Sequence, residues 1–181
     1  MLQRWIGLVL VFLAVALGPV SPASAQAAED ALLLDAASPE IASLAISGIG
    51  PGATIEFEFA TGWEAASEPA YDPAVVAVAM PDGDFRVHVG RDRRSIKVFD
   101  GSDYQSVEAD SSDGAFHHVV VSASAGTASV YVDGALRGEI ESGFPETSAA
   151  SLYVGTSDGE EDPFVGSIRT ARLWDQALDP G

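Results

Sequence analysis

Two glutamates in one short segment are the first candidates for chemistry. Glu56 and Glu58 are one residue apart in residues 54–60, where apolar and polar side chains alternate. On a β-strand, side chains two positions apart share a face and are about 6.5–7 Å apart at the backbone. Carboxylates about 5.5 Å apart hydrolyse glycosidic bonds with retention. A glycoside hydrolase is therefore one hypothesis, but a solvent-facing strand is the simpler interpretation and the one we favour.

Three histidines invite a metal or a catalytic interpretation, which their positions oppose. His117 and His118 are adjacent in a strand-like run, so their side chains point to opposite faces and cannot bind one ion. His88 belongs to a different strand-like run, beside Arg86 on its polar side. No Gly-x-Ser-x-Gly segment supplies a nucleophile for a Ser-His-Asp site. We expect one of the adjacent histidines at the core edge and the other in solvent.

Aromatic residues in loops provide the remaining binding chemistry, because sugar rings stack on exposed aromatic faces. Trp63, Tyr71 and Tyr104 lie in or beside loop-like segments and are our candidate ligand-binding residues. For Trp63, a buried position at the rim of the core is an equal alternative. Basic residues cluster at 91–94 and could bind an anionic glycan, although a solvated hairpin tip is simpler.

The sequence pattern indicates that β-strands and the turns between them position these candidate residues. The apolar runs are short, alternate with polar residues and are bounded by Gly, Asp, Ser or Pro, as in strands separated by tight turns. No segment has a convincing helical period and no internal repeat is present. The pattern predicts an all-β fold, a two-sheet antiparallel sandwich. The strand-like runs are residues 31–36, 43–47, 54–60, 75–80, 85–89, 96–99 and 104–107, and four more lie within residues 114–121, 129–134, 151–155 and 164–178.

The first 25 residues have the pattern of a signal peptide. Arg4 precedes an apolar run over residues 6–17, and Ala23-Ser24-Ala25 is a small-x-small cleavage site. The run is shorter than the roughly 20 residues that cross a bilayer. We therefore expect cleavage before Gln26, a single mature domain over residues 26–181, and a secreted or periplasmic location without membrane insertion.

The charge balance and the cysteine count exclude several classes of protein. Without Arg4, eight basic residues remain against 27 acidic ones, a net charge of −19. Such a field repels phosphate backbones, so we expect no nucleic-acid binding. The chain has no cysteine, so neither disulfides nor a cysteine-linked lipid anchor can form.

The order of motifs in the C-terminal part resembles laminin-G-like and pentraxin-like domains of the concanavalin A-like superfamily. The motifs are an aromatic-His-His-apolar run, an aromatic-Val-Asp-Gly hairpin, a Val-Gly strand end, and a Gly-x-Ile strand closing in Trp-Asp. They occupy residues 114–121, 129–134, 151–155 and 164–178. The resemblance implies a jelly roll with these residues buried: Phe57, Phe59, Val119, Val121, Val130, Val132, Val154, Ile168 and Trp174.

The same resemblance implies where Ca²⁺ would bind. Pentraxin-like members take ligands from a turn after an early strand and from an acidic loop after the Leu-Gly strand. These regions correspond here to Asp82 and Asp84, and to Asp158 and Asp162. Carboxylate oxygens suit Ca²⁺, which needs six to eight oxygen ligands. Ordinary solvated turns are the alternative, since Gly83 stands where the family has an amide side chain.

Glucanases of this superfold carry three carboxylates in a Glu-x-Asp-x-Glu row, and the present row has two members. We therefore predict an exported, non-catalytic binding module for a glycan or an extracellular or envelope protein, with Ca²⁺ assistance as an option. The alternatives are a glycoside hydrolase of the same superfold, or an architectural or adhesive domain of a longer protein.

Overall fold

The computed structural model describes residues 14–16, 32–34, 42–46, 49–50, 52–124, 126–144, 146–159 and 161–179. Thirteen strands and one short 3-10 helix, Ala65–Ser67, form within these ranges. The strands are β1 (Ala14–Ala16), β2 (Leu32–Leu34), β3 (Ala42–Ile46), β4 (Gly52–Thr61), β5 (Ala74–Met80), β6 (Gly83–Val89), β7 (Ser95–Phe99), β8 (Tyr104–Glu108), β9 (His117–Ser124), β10 (Thr127–Val132), β11 (Ala135–Ile140), β12 (Ala150–Val154) and β13 (Gly166–Trp174).

The strands form two sheets. One has seven strands in the order β1-β13-β4-β9-β10-β11, with β2 also pairing with β13. The other has six strands in the order β3-β12-β5-β6-β7-β8. Every pair is antiparallel except β1 with β13. The predicted all-β, two-sheet antiparallel sandwich is confirmed.

The core lies between the sheets because one face of each strand is apolar. On β4, Ile55, Phe57 and Phe59 are fully buried, whereas Glu56 and Glu58 lie on the outer side. On the six-stranded sheet, the inward residues of β5 and β6 include Val78 and Phe85, which are register partners. Eight of the predicted core residues are buried: Phe57, Phe59, Val119, Val121, Val130, Val132, Val154 and Ile168.

The ninth predicted core residue, Trp174, is not in the core, and this prediction was wrong. A bulge in β13 between Ile168 and Thr170 shifts the register against β4 by one residue. A shift of one position moves every following side chain to the other face of a sheet. Leu173 therefore faces the core in place of Trp174, which lies partly buried on the outer side.

Along one side of the sandwich, a side-chain amide makes the pair of backbone hydrogen bonds that a neighbouring strand would make. The Gln105 carboxamide on β8 donates to the carbonyl of Glu141 and accepts from its N–H at 3.1 Å. Glu141 directly follows β11 of the opposite sheet. The amide thus satisfies both backbone groups of Glu141 and links the exposed edges of the two sheets.

The predicted signal peptide overlaps the structure only at β1, which pairs with residues 172–174 of β13. The rest of that segment lies outside the described residues. Cleavage before Gln26 would remove β1, so we expect this pairing in the precursor alone. Within the described part of the chain, no helix is long and apolar enough to cross a bilayer.

Candidate functional site

The outer face of the six-stranded sheet carries a cluster of rings around an arginine. Register places Arg86 opposite Phe99, and Phe99 opposite Tyr104, so the three side chains share one face. His88 is two residues after Arg86 and lies on the same face. We call Arg86, His88, Phe99 and Tyr104 the aromatic face.

Tyr104 is the exposed member of the aromatic face. Its side chain is the only aromatic one classed as exposed within the described ranges, at 48%. Its ring lies 4.7 Å from the Phe99 ring at an angle of 32°, and 5.4 Å from the His88 ring at 70°. The Arg86 guanidinium is 5.4 Å from the centre of the Phe99 ring and is also held by Asp84, with its Nε 3.2 Å from Oδ2. The Tyr104 ring is thus exposed to solvent on one side and packed against Phe99 and His88 on the other.

His88 supports this ring as a neutral imidazole. It is 1% exposed, and burial lowers its pKa, although the hydrogen bond to the Asp72 carbonyl opposes this effect. Its Nδ1 lies 2.8 Å from that carbonyl oxygen and therefore carries the proton. Its Nε2 is left as a buried acceptor that makes no hydrogen bond to any described residue.

A polar groove of about 450 Å³ adjoins the aromatic face. Lys97 lines the groove and is the register partner of His88. The Asp72 carboxylate connects two other residues of the groove. Its Oδ1 accepts a hydrogen bond from the Arg91 N–H at 2.8 Å, and its Oδ2 accepts one from Lys97 Nζ at 2.6 Å. We call this the first groove, and its lining residues are Glu68, Ala70, Tyr71, Asp72, Arg91, Asp92 and Lys97.

The three predicted ligand-binding aromatics fall in different environments. Tyr104 is exposed and Tyr71 lines the first groove, where its hydroxyl donates to the Pro163 carbonyl at 3.2 Å. Trp63 is 4% exposed and packs edge-on against Phe164 at 5.8 Å. A binding platform at Trp63 is therefore wrong, and the alternative of a core position is the correct one.

The four predicted calcium ligands do not come together. The Ala74 N–H donates to the Asp162 carbonyl at 2.9 Å, so the loop with Asp158 and Asp162 lies at the start of β5. Asp82 follows the end of β5, which is about 20 Å away along a seven-residue strand. The described residues contain no group of three His, Cys, Asp or Glu side chains that could hold a metal ion. The described residues thus do not bring the four aspartates into one cluster, and Ca²⁺ binding at the acidic turns stays a prediction.

Individually, three of these carboxylates have protein partners. Asp84 pairs with Arg86 at 2.5 Å, and Asp162 accepts from Ser157 Oγ at 2.8 Å. Asp158 accepts from the Glu161 N–H at 2.8 Å, closing its own loop. The first contact lies within β6, and the other two stabilise the loop between β12 and β13.

The glutamate pair lies on the outer face of the other sheet. Glu56 Oε1 accepts from Arg172 Nη1 at 2.9 Å and contacts His118 Nε2 at 3.1 Å, while Oε2 accepts from Trp174 Nε1 at 3.3 Å. The hydrogen bond from His118 lowers the pKa of Glu56 to about 2. Burial of the carboxylate opposes this shift, and the charge of Arg172 reinforces it. Glu58 faces Arg169 at 3.8 Å. A general acid needs a raised pKa, so this Glu56 environment is suited to an ion pair.

His117 and His118 lie on opposite faces, as predicted. His117 is 7% exposed, with Nδ1 2.8 Å from Asp133 and Nε2 3.0 Å from Asp113. His118 points outward to Glu56 and is partly buried rather than solvated. Each imidazole is thus committed to its own carboxylates.

A comparison of the sequence with known protein families gives the same family that the motif order suggested and the same fold that the structure shows. Residues 54–181 match the model Laminin_G_3, described as concanavalin A-like lectin/glucanases superfamily. The chain belongs to this laminin G-like family. No curated protein sequence matches the chain.

Solved structures share the fold of this laminin G-like domain. A sialidase carbohydrate-binding module (CBM40) from Ruminococcus gnavus, bound to α2,3-sialyllactose, has a TM-score of 0.58 at 15% identity, covering 76% of this chain and 92% of that one. Domains LG4-5 of the mouse laminin α1 chain give 0.60 at 15%, covering 89% and 46%. A pentraxin from Limulus polyphemus gives 0.53 at 14%, covering 76% and 71%. At these identities the likeness establishes the fold.

Sequence reasoning missed Asp72, Arg86, Lys97 and Phe99 as site residues. The signal was present in the alternation of two predicted neighbouring strands, residues 85–89 and 96–99. Their outward positions carry Arg86 and His88 on one strand, and Lys97 and Phe99 on the other. Pairing these two runs as a hairpin would have placed the four side chains on one face.

Proposed function

We propose that this laminin G-like domain is an exported, non-catalytic module that binds a glycan on the aromatic face and in the first groove. The observation that carries the proposal is the supported, exposed ring of Tyr104 beside a polar groove. A sugar ring presents an apolar C–H face that stacks on an aromatic ring, and hydroxyls that need polar partners.

Both requirements are supplied side by side. Tyr104 offers the stacking surface, and its support by Phe99 and His88 means that little side-chain freedom is lost on binding. In the first groove, Asp72, Lys97 and the neighbouring polar groups can accept and donate hydrogen bonds to hydroxyls. The CBM40 neighbour, whose structure contains sialyllactose, supports glycan binding on this fold.

The absence of catalysis is part of the proposal and rests on Glu56. A pKa of about 2 prevents Glu56 from acting as the proton donor at neutral pH. Its three side-chain contacts engage both carboxylate oxygens, which a nucleophile would need free. Calcium has no part in the proposal because the acidic turns lie at opposite ends of β5.

A glycan array with three forms of the purified protein tests the proposal. We expect the wild type to bind a defined set of glycans and Tyr104→Ala to lose at least tenfold in affinity for them. Tyr131→Ala is the matched control, because Tyr131 lies on the outer side of the seven-stranded sheet and should leave binding unchanged. Equal binding by wild type and Tyr104→Ala would contradict the proposal.

A further inference from the structure

One of the three histidines lacks the partners that the other two have. His117 and His118 each have a carboxylate oxygen within 3.1 Å of a ring nitrogen, and such a partner stabilises the protonated imidazole. His88 has no carboxylate partner of this kind. Its Nδ1 lies 2.8 Å from the Asp72 carbonyl oxygen, and its Nε2 makes no hydrogen bond to any residue within the described ranges. The surroundings of His88 therefore fit the neutral imidazole alone.

The titratable and charged side chains around His88 come from every element packed against it except β5, whose register partner is Ala74. They are Arg86 on β6, Lys97 on β7, Tyr104 on β8, Asp72 before β5 and Asp162 before β13. Burial is the largest influence and lowers the pKa of His88. The hydrogen bond to the Asp72 carbonyl and the charges of the two aspartates oppose this shift, and Arg86 reinforces it. The neutral form is thus favoured even beside two carboxylates.

Protonation of His88 would turn its Nε2 from an acceptor into a donor. An N–H that is buried without a partner is costly, and Nε2 is enclosed in the folded domain. The nearby cations do not give way, because Arg86 is paired with Asp84, and Lys97 with Asp72. The protonated imidazole can be accommodated only if its Nε2 is opened to water.

Tyr104 is the neighbour whose movement would open this site most easily. On the Nδ1 side, Asp72 is fixed through its carboxylate, which accepts hydrogen bonds from the Arg91 N–H and from Lys97 Nζ. The Tyr104 ring, 5.4 Å from the His88 ring, is instead largely exposed. It stands at the start of β8, the edge strand of the six-stranded sheet. Displacing this ring disturbs fewer contacts than moving the loop of Asp72.

We infer that His88 positions the Tyr104 ring and makes the aromatic face respond to pH, because the neutral imidazole keeps the ring in place and protonation displaces it. This inference rests on the proposed function and adds the regulation of the same site. A displaced Tyr104 ring loses its contacts with His88 and Phe99, so a sugar would have to order it again on binding.

The direction of the pH effect follows from the environment of His88. Burial holds the pKa of His88 below its ordinary value of about 6.5, so the imidazole is neutral at and above neutral pH. As pH falls through the lowered pKa, the protonated form takes over. The aromatic face should therefore be intact at neutral pH, and glycan binding should weaken in acid.

An NMR titration of the purified protein without ligand tests the link between the two rings. Histidine and tyrosine rings are labelled with ¹³C and followed from pH 7.5 to pH 4.5. We expect the Tyr104 ring signals to shift with the same midpoint as those of His88, below pH 6.5, and to shift more than those of the other three tyrosines. Tyr104 signals that stay constant while His88 titrates would overturn the inference. So would a His88 that stays neutral until the whole domain unfolds.

His88→Asn removes the titrating group and retains the donor. The side-chain nitrogen of asparagine lies near the position of Nδ1 and can donate to the Asp72 carbonyl, but the amide does not titrate. The shift of Tyr104 should therefore disappear in this variant. A shift that persists would come from the nearby aspartates and would contradict the inference. His117→Gln combined with His118→Gln is the matched control, because these imidazoles lie on the other sheet and should leave the Tyr104 titration unchanged.

The glycan array, repeated at pH 7.5 and at one pH unit below the His88 midpoint, separates this inference from the proposed function. At the lower pH about a tenth of the domain keeps the neutral imidazole, so glycans that depend on Tyr104 should bind about tenfold more weakly. Equal binding at both pH values would overturn the inference, while the proposed function would stand. No glycan bound at either pH, with Tyr104 still following His88, would instead contradict the proposed function.

Discussion

The indole Nε1 of Trp63 donates a hydrogen bond to the carbonyl oxygen of Arg91 over 2.9 Å. Trp63 is part of the core and Arg91 is an exposed residue of the β6–β7 turn. The bond therefore anchors this turn, at the first groove, to the packed interior. Trp63 contributes to the proposed site by positioning Arg91 and not by contacting a ligand.

Trp63→Phe should separate these two properties. Phenylalanine retains an aromatic ring against Phe164 but cannot donate to Arg91, so the free energy of unfolding should fall by about 1–2 kcal/mol through the lost hydrogen bond. Trp63→Ala should cost about 3–5 kcal/mol because it also leaves a cavity. Urea unfolding measures both. Stability of Trp63→Phe equal to that of the wild type would show that the bond to Arg91 is energetically unimportant.

The two adjacent histidines should make stability depend on pH. Burial opposes protonation of His117, but hydrogen bonds to Asp133 and Asp113 outweigh it and raise its pKa; the hydrogen bond to Glu56 raises the pKa of His118. A raised folded pKa stabilises the protein fully below the unfolded value of about 6.5, and this stability is lost as pH rises through the folded pKa.

We therefore expect the free energy of unfolding to decrease between pH 6.5 and pH 8.5, and the decrease to shrink in His117→Gln combined with His118→Gln. His88, whose pKa is lowered by burial, acts in the opposite direction and destabilises the fold as pH falls below about 6.5. Urea unfolding across this range is the measurement. An unchanged slope in the double variant would show that the two imidazoles are not held by their carboxylates.

Glu56 should contribute to stability and not to hydrolysis. Glu56→Gln weakens contacts to Arg172 and His118, so we expect a loss of about 1–3 kcal/mol. Glu58→Gln is the matched control and should cost less than about 1 kcal/mol, since its pair with Arg169 is long and partly exposed. Neither the wild type nor the variants should cleave a panel of polysaccharides. Products that depend on Glu56 would establish the glycoside hydrolase alternative.

Calcium should act on this domain only through ionic strength. Because the aspartates of the two acidic turns do not converge, millimolar CaCl₂ should raise the melting temperature no more than NaCl of equal ionic strength, which screens the repulsion among 27 acidic residues. A larger rise with CaCl₂, reversed by a chelator and reduced by Asp158→Asn, would reveal a site of a different composition. Asp100→Asn, in a separate turn, is the control.

The sequence predicted what alternation and turn chemistry determine locally. Ile55, Phe57 and Phe59 have a clean period of two, and their burial follows from it. Trp174 shows the limit, because a bulge near Ile168 reverses the parity of the strand. The two consecutive polar residues Arg169 and Thr170 mark this change in the sequence, but the apolar Trp174 at the end of the strand conceals it. Trp63 shows another limit, since a loop tryptophan is buried or exposed according to long-range packing, here against Phe164.

Only part of the candidate site could be predicted, because local sequence identifies single residues but not their neighbours in space. Tyr104 and Tyr71 could be selected individually as loop aromatics, but their neighbours depend on which strands pair and in what register. Asp162 lies at the start of β5 and Asp82 follows its end, so their distance depends on the path of this strand. A resemblance between two loops and those of a known family does not specify that path. Sheet order and register, not residue type, decided which candidates came together.

The central claim, that a glycan lies on the outer face of the six-stranded sheet, is tested most directly by NMR chemical-shift mapping with the tightest ligand from the glycan array. We predict that shifts and line broadening concentrate in Tyr71, Arg86, Lys97 and Tyr104, and that the ring signals of Tyr104 move most. Glu56, His118 and Tyr131 on the opposite sheet should be unaffected. Perturbations centred on those three residues, with Tyr104 unchanged, would contradict the claim.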